Sequence, residues 1–300
     1  MIVFDNVTKY YKSNVGLEKV SVKINKGDFV FLVGPSGAGK STFVKLILKE
    51  IDADSGSITV KGNDVTKMSK RQVPKLRRNI GIVFQDFRLL PKKTVYENVA
   101  FAMEIVHQPR KLIKKYVPQV LSVVGISDKS DKYPDELSAG EQQRVAIARA
   151  IVNKPKILIA DEPTGNLDPD TAWEIMLLLD QINKRGTTIV MVTHAKDIVD
   201  RMGKRVIAIV NGRIVRDEFG AYGFEEMLEE ASAEGAFGVL GQDTLQAHRS
   251  LRSRFRRGGS SDDEAFLLHI ETGFPSGLQK QSHVAGVHIR DNSDASYPGD

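Results

Sequence analysis

The sequence predicts an α/β fold with a mostly parallel core sheet, a small antiparallel β subdomain and a helical subdomain. Three observations indicate this class. Short apolar segments without alternation, separated by helical patterns, are typical of parallel strands that are buried on both faces. The start of the chain instead contains short segments with one polar face, as in an antiparallel sheet. Residues 88–152 have a mostly helical pattern that is punctuated by prolines.

The predicted strands can be placed in chain order. The parallel sheet is expected to contain the apolar segments 28–33, 156–160, 187–192 and 206–210. The antiparallel strands are predicted at residues 2–4, 20–24 and 57–61. A helix is expected over residues 41–50, directly after a glycine-rich turn, and another over residues 141–152.

Composition is that of a soluble globular protein. The 300 residues are 41% hydrophobic and 27% charged, and they include no cysteine, which excludes disulfides and cysteine-based metal sites. The net charge of +5 does not by itself select a partner. The chain has no apolar run of about 20 residues and no signal-peptide pattern at its start. We therefore expect a cytoplasmic chain whose membrane role, if it has one, comes through a partner.

The composition changes near Glu230, where Gly, Ser, Ala and Asp become more frequent. This change predicts one domain over residues 1–228, with its helical subdomain at about 88–152, and a C-terminal extension over residues 229–300 that is mostly disordered. The extension contains a cluster of arginines: Arg249, Arg252, Arg254, Arg256 and Arg257. The cluster could bind anionic lipid or nucleic acid, but a solvated charged tail is the favoured interpretation.

A phosphate-binding loop is predicted at residues 34–41, which read Gly-Pro-Ser-Gly-Ala-Gly-Lys-Ser and fit the pattern G-x-x-x-x-G-K-[ST]. Glycines let backbone amides turn toward phosphates, and the following helix N-terminus adds unpaired N–H groups. Lys40 would bring a charge to the β- and γ-phosphates, and Ser41 would offer its hydroxyl to Mg²⁺. A chance match is the alternative, and the strand before and helix after the loop argue against it.

Two adjacent acids, Asp161 and Glu162, follow the apolar segment 156–160. The carboxyl ends of strands are where α/β sheets place their chemistry. Asp161 would hold Mg²⁺, directly or through water, while Glu162 would polarise an attacking water. A solvated turn is the alternative for such a pair alone, and the phosphate loop upstream favours the functional interpretation.

Other polar residues follow apolar segments and are weaker candidates individually. Gln85 and His194 each follow such a segment, and Asp168 lies in a turn. Each would be an ordinary surface or strand-end residue more often than not, although His194 could contact a γ-phosphate. Ser138 and Glu141 have the spacing of a capping box, which by itself indicates only an ordinary helix start.

Taken together, these motifs resemble the ATP-binding-cassette (ABC) ATPase family of P-loop NTPases. The resemblance covers about residues 1–222, and the motifs occur in the family's order: residues 34–41, Gln85, residues 137–141, residues 157–162, Asp168 and His194. It implies an enzyme that binds ATP and Mg²⁺ and hydrolyses ATP to ADP and phosphate. It also implies a homodimer in which each ATP lies between the phosphate loop of one chain and the signature helix of the other.

The resemblance assigns roles residue by residue. Glu162, His194 and Gln85 would be catalytic, and Ser41, Gln85 and Asp161 would serve the metal. Tyr11 would stack on adenine, with Tyr10 as the competing choice. The residues implied in nucleotide binding are Tyr11, Gly34, Pro35, Ser36, Gly37, Ala38, Gly39, Lys40, Ser41, Thr42, Ser138, Gly140 and Asp168.

Residues 84–91, 94–98 and 161–168 resemble the branch that holds lipoprotein-release, macrolide-efflux and cell-division ATPases. Residues 173–176, 206–217 and 222–224 are most similar to the cell-division members. Such members pair with a polytopic membrane protein of the FtsX type and regulate peptidoglycan hydrolysis, which implies a peripheral protein at the cytoplasmic face of the membrane and no nucleic-acid partner.

Other functions compete with this interpretation. The nearest alternative is the ATPase subunit of an exporter, and a cassette ATPase acting on DNA or ribosomes is a more distant one. A nucleotide-binding scaffold without hydrolysis is disfavoured by Glu162 and His194.

Residues 137–141 correspond to the signature segment of the family, and they depart from it at Ala139, where glycine is usual. If that position needs a positive φ or a close approach to phosphate, the methyl group would slow hydrolysis. Partner docking is expected beside the Gln85 loop at residues 87–93, where the alternative is that Leu89 and Leu90 belong to the core.

Overall fold

A computed structural model of the chain describes residues 1–12, 14–220 and 222–223. The predicted extension therefore lies outside the described residues. The strands are β1 (Ile2–Tyr11), β2 (Asn14–Ile24), β3 (Phe29–Val33), β4 (Ser55–Val60), β5 (Asn63–Asp64), β6 (Ile80–Val83), β7 (Ile157–Asp161), β8 (Thr188–Val192), β9 (Arg205–Val210) and β10 (Arg213–Phe219). The α-helices are α1 (Lys40–Ile47), α2 (Val73–Arg77), α3 (Val95–Ile105), α4 (Arg110–Val123), α5 (Ala139–Ile151), α6 (Pro169–Lys184) and α7 (Lys196–Met202).

The central sheet has six strands in the order β10-β9-β3-β8-β7-β6. Its strand pairs are parallel except for β9 with β10, which confirms the predicted α/β class. All four predicted parallel strands are present, and β6 and β10 add to them. These two are harder to predict, because β6 is short and includes Gly81, while β10 is mostly charged and half-buried or exposed.

Side chains of β3 alternate between two cores on opposite faces of this sheet. Phe29, Phe31 and Val33 pack into one core with the helices α3 to α6. Val30 and Leu32 pack into the other, with α1 and the antiparallel strands. The strand is fully buried because both faces are covered, as the continuous apolar segment predicted.

The antiparallel sheet has the order β2-β1-β4-β5 and confirms the predicted strands at the start of the chain. It packs on α1, where the rings of Phe4 and Phe43 are stacked with centroids 4.2 Å apart. This contact attaches the small sheet to the helix that follows the glycine-rich loop, so that β1 and β2 border the predicted site.

Helices α3, α4 and α5 lie between residues 95 and 151, in the region with the helical pattern. The prolines of this region do not all interrupt helices. Pro109 is the residue before α4, but Pro118 lies inside α4, where it is exposed and the helix continues. No helix among the described residues is long and apolar enough to cross a membrane.

Candidate active site

The loop between β3 and α1 depends on two glycines with positive φ. Gly34 has φ 142°, and a Cβ there would lie 2.0 Å from the carbonyl oxygen of Ile209. Gly39 has φ 115°, and a Cβ there would lie 2.3 Å from the carbonyl oxygen of Gly16. Any other residue would force β2, β9 or the loop to move. The predicted motif therefore folds as a tight turn at the N-terminus of α1.

Lys40, the first residue of α1, is only 6% exposed. Its Nζ donates to the carbonyl oxygens of Gly34, at 2.6 Å, and Pro35, at 2.8 Å. Burial lowers the pKa of Lys40 to about 8, although the nearby carboxylates of Glu162 and Asp161 oppose the shift. The ammonium group is therefore poorly solvated and well placed to bind an anion.

A cavity of about 360 Å³ lies above this loop. Ten predicted site residues line it: Tyr11, Ser36, Gly37, Gly39, Lys40, Ser41, Thr42, Asp161, Glu162 and His194. Gly34, Pro35 and Ala38 belong to the loop but do not line the cavity. Tyr11 lies at the cavity and Tyr10 does not, which favours Tyr11 for base stacking. The cavity thus brings together residues from β1, the loop and the ends of β7 and β8.

The two carboxylates stand at the end of β7, as predicted. Glu162 has φ 47°, which is uncommon for a residue other than glycine, and its N–H donates to the carbonyl oxygen of Val192 at 2.9 Å. Burial raises the pKa of Asp161, while Lys40 opposes the change. Burial also raises the pKa of Glu162, and the charge of Asp161 adds to that effect. A carboxylate with a raised pKa is a better proton acceptor.

His194 follows β8 and faces Glu162, with its Nε2 3.6 Å from the Oε1 of the carboxylate. Its Nδ1 is buried and has no hydrogen-bond partner among the described residues. Burial, and then the charge of Lys40, lower the pKa of His194 to about 4. The imidazole is therefore neutral at pH 7 and can offer one N–H donor and one acceptor nitrogen.

Gln85 lies after β6 but does not line the cavity. Its loop is instead paired with residues near the start of α6. The side-chain amide of Asn166 donates to the backbone carbonyl of Gln85 at 3.1 Å, and the Gln85 Nε2 lies 3.5 Å from Asn166 Oδ1. A Cβ on Gly165 would come within 2.8 Å of the same Gln85 nitrogen. This close packing holds Gln85 against the turn that precedes Asp168.

Ser138 and Asp168 act as helix caps in this chain. Ser138 forms a capping box with Glu141 at the start of α5, and Asp168 accepts from the Thr171 N–H at the start of α6. Gly140 is buried, and a Cβ there would lie 2.4 Å from Cγ2 of Thr171. None of Ser138, Gly140 and Asp168 lines the cavity of its own chain.

Ala139 does not have the positive φ that the sequence left open. It is the first residue of α5 and is absent from the positive-φ residues of the described chain. The backbone reason for expecting a weakened signature is therefore wrong, because alanine is the best helix former and fits this position. Only a close approach to a bound phosphate would make its methyl group matter.

Four cavity residues were not predicted: Asn14, Val15, Gly16 and Val192. Gly16 is closely packed on two sides. A Cβ added at Gly16 would lie 2.7 Å from the Tyr11 ring, and its carbonyl oxygen is the atom that a Cβ added at Gly39 would meet. Val15, which is 38% exposed, lines the same cavity. No sequence motif marks Asn14, Val15 and Gly16, because they reach the cavity only through the pairing of β2 with Tyr10 and Tyr11. Val192 could have been found from the sequence, since it ends the apolar segment that precedes His194.

The donors in the cavity fit Mg²⁺. Ser41 and Asp161 both line it and present hydroxyl and carboxylate oxygens, which are the ligands that Mg²⁺ prefers. Gln85 could supply an amide oxygen, but it lies outside the cavity lining. The cavity therefore combines an anion-binding loop, oxygen donors for a hard cation and a carboxylate beside a neutral histidine. This set of groups is suited to cleavage of a phosphoanhydride by water.

Comparisons with known proteins agree with this geometry. Residues 17–165 match the family model described as ABC transporter. The chain is 56% identical over 223 residues to the cell division ATP-binding protein FtsE of Streptococcus pneumoniae D39, covering 74% of this chain and 97% of that protein. It is also 56% identical over 228 residues to FtsE of Mycobacterium tuberculosis H37Rv, covering 75% and 99%.

A solved structure shares the fold. The ATP-binding cassette MJ0796, described as a dimer in a post-hydrolysis state bound to ADP and Pi, is 35% identical with a TM-score of 0.66, and the match covers 73% of this chain and 98% of that one. The chain therefore belongs to the FtsE group of the ATP-binding-cassette ATPase family.

Proposed function

We propose that this chain is the ATP-hydrolysing subunit of a peripheral membrane complex with a polytopic membrane protein of the FtsX type, and that the complex regulates peptidoglycan hydrolysis in cell division. The observation that carries the proposal is the single cavity that holds Lys40, Asp161, Glu162 and His194 in a chain of the FtsE group. The ATPase domain would extend over residues 1–228, with the helical subdomain at about 88–152 and the extension at 229–300.

Each cavity residue has a task in this proposal. Tyr11 would stack on the adenine, while the loop amides and Lys40 bind the phosphates. Ser41 and Asp161 would hold Mg²⁺, which when bound neutralises charge on the β- and γ-phosphates. Glu162 would accept a proton from the attacking water, and His194 would orient that water or the γ-phosphate through its neutral imidazole.

A homodimer would complete the site. Ser138 is exposed at the N-terminus of α5 and does not serve the cavity of its own chain. A helix N-terminus with free N–H groups suits an anion, so the α5 terminus of one chain would cap the γ-phosphate bound by the other. Asp168, exposed at the start of α6, would lie beside the same interface. One dimer would then hold two composite sites.

The docking surface for the membrane partner is a groove of about 400 Å³ between α2, β6, α3 and α5. Ile82, Ala102, Ile105 and Val106 form its apolar part, and Ile105 is 51% exposed. The lining also contains three basic residues, Arg77, Arg78 and Arg149. A groove lined by both apolar and basic residues suits an amphipathic helix that carries acidic residues.

The groove differs from the segment that the sequence favoured for docking, residues 87–93. Leu89 packs against the larger core and Leu90 is half-buried, so these leucines contribute less exposed apolar surface than Ile105 does. Lys92 and Pro91 remain exposed beside them. We therefore place the main apolar contact at Ile105 and keep the 87–93 loop as its neighbour.

The test is co-purification of the full chain with a membrane protein of the FtsX type from membranes in which both are expressed. Ile105→Asp should abolish the association without lowering the basal ATPase rate. Leu177→Asp is the matched control, since Leu177 is an apolar residue of α6 with 45% exposure, and it should leave the association intact. If both variants lose the association equally, or if neither loses it, the groove is not the docking surface.

The extension is a competing means of membrane attachment. Its five arginines could each add about 1 kcal/mol near anionic lipid. A chain that ends at residue 230 should remain with the membrane fraction when the FtsX-type partner is present and should leave it when the partner is absent. Release of the truncated chain despite the partner would show that the extension is the anchor.

A further inference from the structure

Arg149 is a half-buried charge that the proposed chemistry does not use. It lies near the end of α5, and its guanidinium donates through Nη2 to the carbonyl oxygen of Phe87 at 2.7 Å and through Nη1 to that of Arg88. Partial burial lowers the pKa of its guanidinium. A guanidinium withdrawn from water is costly unless its donors are satisfied, so these two carbonyls are its main compensation among the described residues.

The two carbonyls belong to an unusual piece of backbone. Phe87 and Arg88 are consecutive residues with φ values of 56° and 49°. Left-handed backbone is uncommon for residues other than glycine, and it persists only where the surrounding structure holds it. This conformation turns both carbonyls toward the same guanidinium. Arg149 is therefore placed to stabilise a backbone shape that the loop would not keep by itself.

The held loop begins with Gln85, two residues before Phe87. On its other side, Gln85 is fixed by Asn166 through the 3.1 Å bond to its carbonyl. Farther along the loop, the N–H and the carbonyl of Leu90 are both bonded to the buried side chain of Asn98 on α3. Between these two attachments, the Phe87 N–H donates to the carbonyl of Phe84 at 3.3 Å and Arg88 pairs with Asp86. Those contacts lie within the loop, whereas the Arg149 bonds fix its path against α5, and hence how far the Gln85 side chain reaches toward the cavity.

We propose that Arg149 is a positioning residue for Gln85, acting by holding the carbonyls of Phe87 and Arg88. The inference rests on the proposed ATPase function and on the role at the metal that the family resemblance implies for Gln85. Arg149 also connects the groove with the site, because it lines the groove that contains Ile105 and lies on α5, whose N-cap is Ser138. A partner that shifts this guanidinium would shift Gln85 with it.

The test compares Arg149→Lys with Arg144→Lys in the full-length protein. Arg144 is a matched control, because it lies on the same helix, donates to the carbonyl of Val124 at 2.9 Å and pairs with Glu174, but does not touch the Gln85 loop. Lysine keeps the charge but replaces the planar fork of two nitrogens by one ammonium nitrogen, so the two carbonyls would lose their present geometry. Arg149→Gln, which keeps a planar donor without the charge, is the second variant if the lysine variant does not fold.

We expect Arg149→Lys to lower kcat about tenfold, the size expected for one lost charge-assisted hydrogen bond, and to raise the Mg²⁺ concentration needed for half-maximal rate. KM for ATP should stay near the wild-type value, since the phosphate loop is untouched. Arg144→Lys should lower the melting temperature without changing the Mg²⁺ requirement.

A double-mutant cycle with Gln85→Ala decides whether Arg149 acts through Gln85. Arg149→Lys should cause no further loss of kcat when Gln85 is already alanine. If Gln85→Ala impairs turnover and the two losses multiply, the positioning role is overturned while the role of Gln85 stands. If Gln85→Ala leaves kcat and the Mg²⁺ requirement unchanged, the assigned role of Gln85 fails and this inference fails with it.

Discussion

The Nε2 atom of His194 lies 3.6 Å from the Oε1 atom of Glu162, a contact too long for a direct hydrogen bond. The carboxylate follows β7 and the imidazole follows β8, and the backbone N–H of Glu162 is bonded to the last residue of β8, Val192. The relative position of the two side chains is therefore set by the pairing of adjacent parallel strands. Each side chain keeps a polar atom free for a third group, such as water or a phosphate oxygen.

Replacing Glu162 by Gln should abolish turnover while ATP binding continues. The amide has nearly the shape of the carboxylate but cannot accept a proton from the attacking water. A nucleotide-bound dimer should accumulate, because hydrolysis no longer ends the bound state. Turnover measured by phosphate release and oligomeric state measured by size-exclusion chromatography with ATP would check both effects.

Lys40→Ala is the contrasting variant, since it should lose nucleotide affinity and form no trapped dimer. Unchanged phosphate release by Glu162→Gln would remove Glu162 from the catalytic role and leave Asp161 as the remaining acid of the pair.

The buried neutral His194 should make stability depend on pH. Its pKa is about 4 in the folded chain and 6.5 as the ordinary value, so the unfolded chain binds more protons between these pH values. Stability must then fall as the pH is lowered through this window, by up to about 1.4 kcal/mol per pH unit. Urea unfolding at pH 7, 6 and 5 should show this fall for the wild type and a shallower one for His194→Asn.

An exposed histidine, His107, provides the control, and His107→Asn should follow the wild-type dependence. If His194→Asn and the wild type have parallel stability profiles from pH 7 to 5, His194 is not held neutral by the fold.

The parts of the site that sequence could predict are those formed by local segments. The loop of residues 34–41 needs only a strand, a turn with glycines and a helix start, and it lies between β3 and α1 as predicted. Asp161, Glu162 and His194 follow apolar strands, and parallel pairing brings the ends of β7 and β8 to one edge of the sheet. Strand order did not have to be known for this, because all parallel strands end at the same edge.

Residues whose position depends on tertiary contacts were harder to predict. Gly16 reaches the cavity only because β2 folds back against β1, and nothing in its neighbourhood in sequence marks it. Arg149 looks like one of several basic residues on a helix, and its role depends on two carbonyls about 60 residues upstream. The positive φ suspected at Ala139 is absent there, whereas Phe87, Arg88 and Glu162 are among the residues that do have it.

Mixed dimers should test the composite site. Ser138→Arg should block hydrolysis without preventing ATP binding to the monomer, because Ser138 does not line the cavity of its own chain. Lys40→Ala should block binding in its own cavity. A mixture of the two variants should regain activity, since a heterodimer has one intact loop opposite one intact α5 terminus.

The recovered rate in the mixture should rise with total protein concentration, as expected for a dimer. If the Ser138→Arg variant by itself cannot bind ATP as a monomer, Ser138 serves the cavity of its own chain.

Gly140→Ala separates packing from catalysis at the signature. A Cβ at this position would meet Cγ2 of Thr171 at 2.4 Å, so either the Thr171 side chain or the packing of α5 on α6 would have to shift. Overpacking of this kind costs about 1–3 kcal/mol, which exceeds the helix propensity that alanine gains over glycine. We expect a lower melting temperature and a lower turnover in Gly140→Ala.

Thr171→Ser removes the opposing methyl group, while the hydroxyl and the backbone N–H can still donate to the Asp168 carboxylate. The double variant Gly140→Ala with Thr171→Ser should therefore regain stability, and turnover should recover with it, because the backbone N–H groups at the α5 terminus are unchanged. Turnover that stays low after the melting temperature has recovered would show that the methyl group crowds the nucleotide of the partner chain rather than α6.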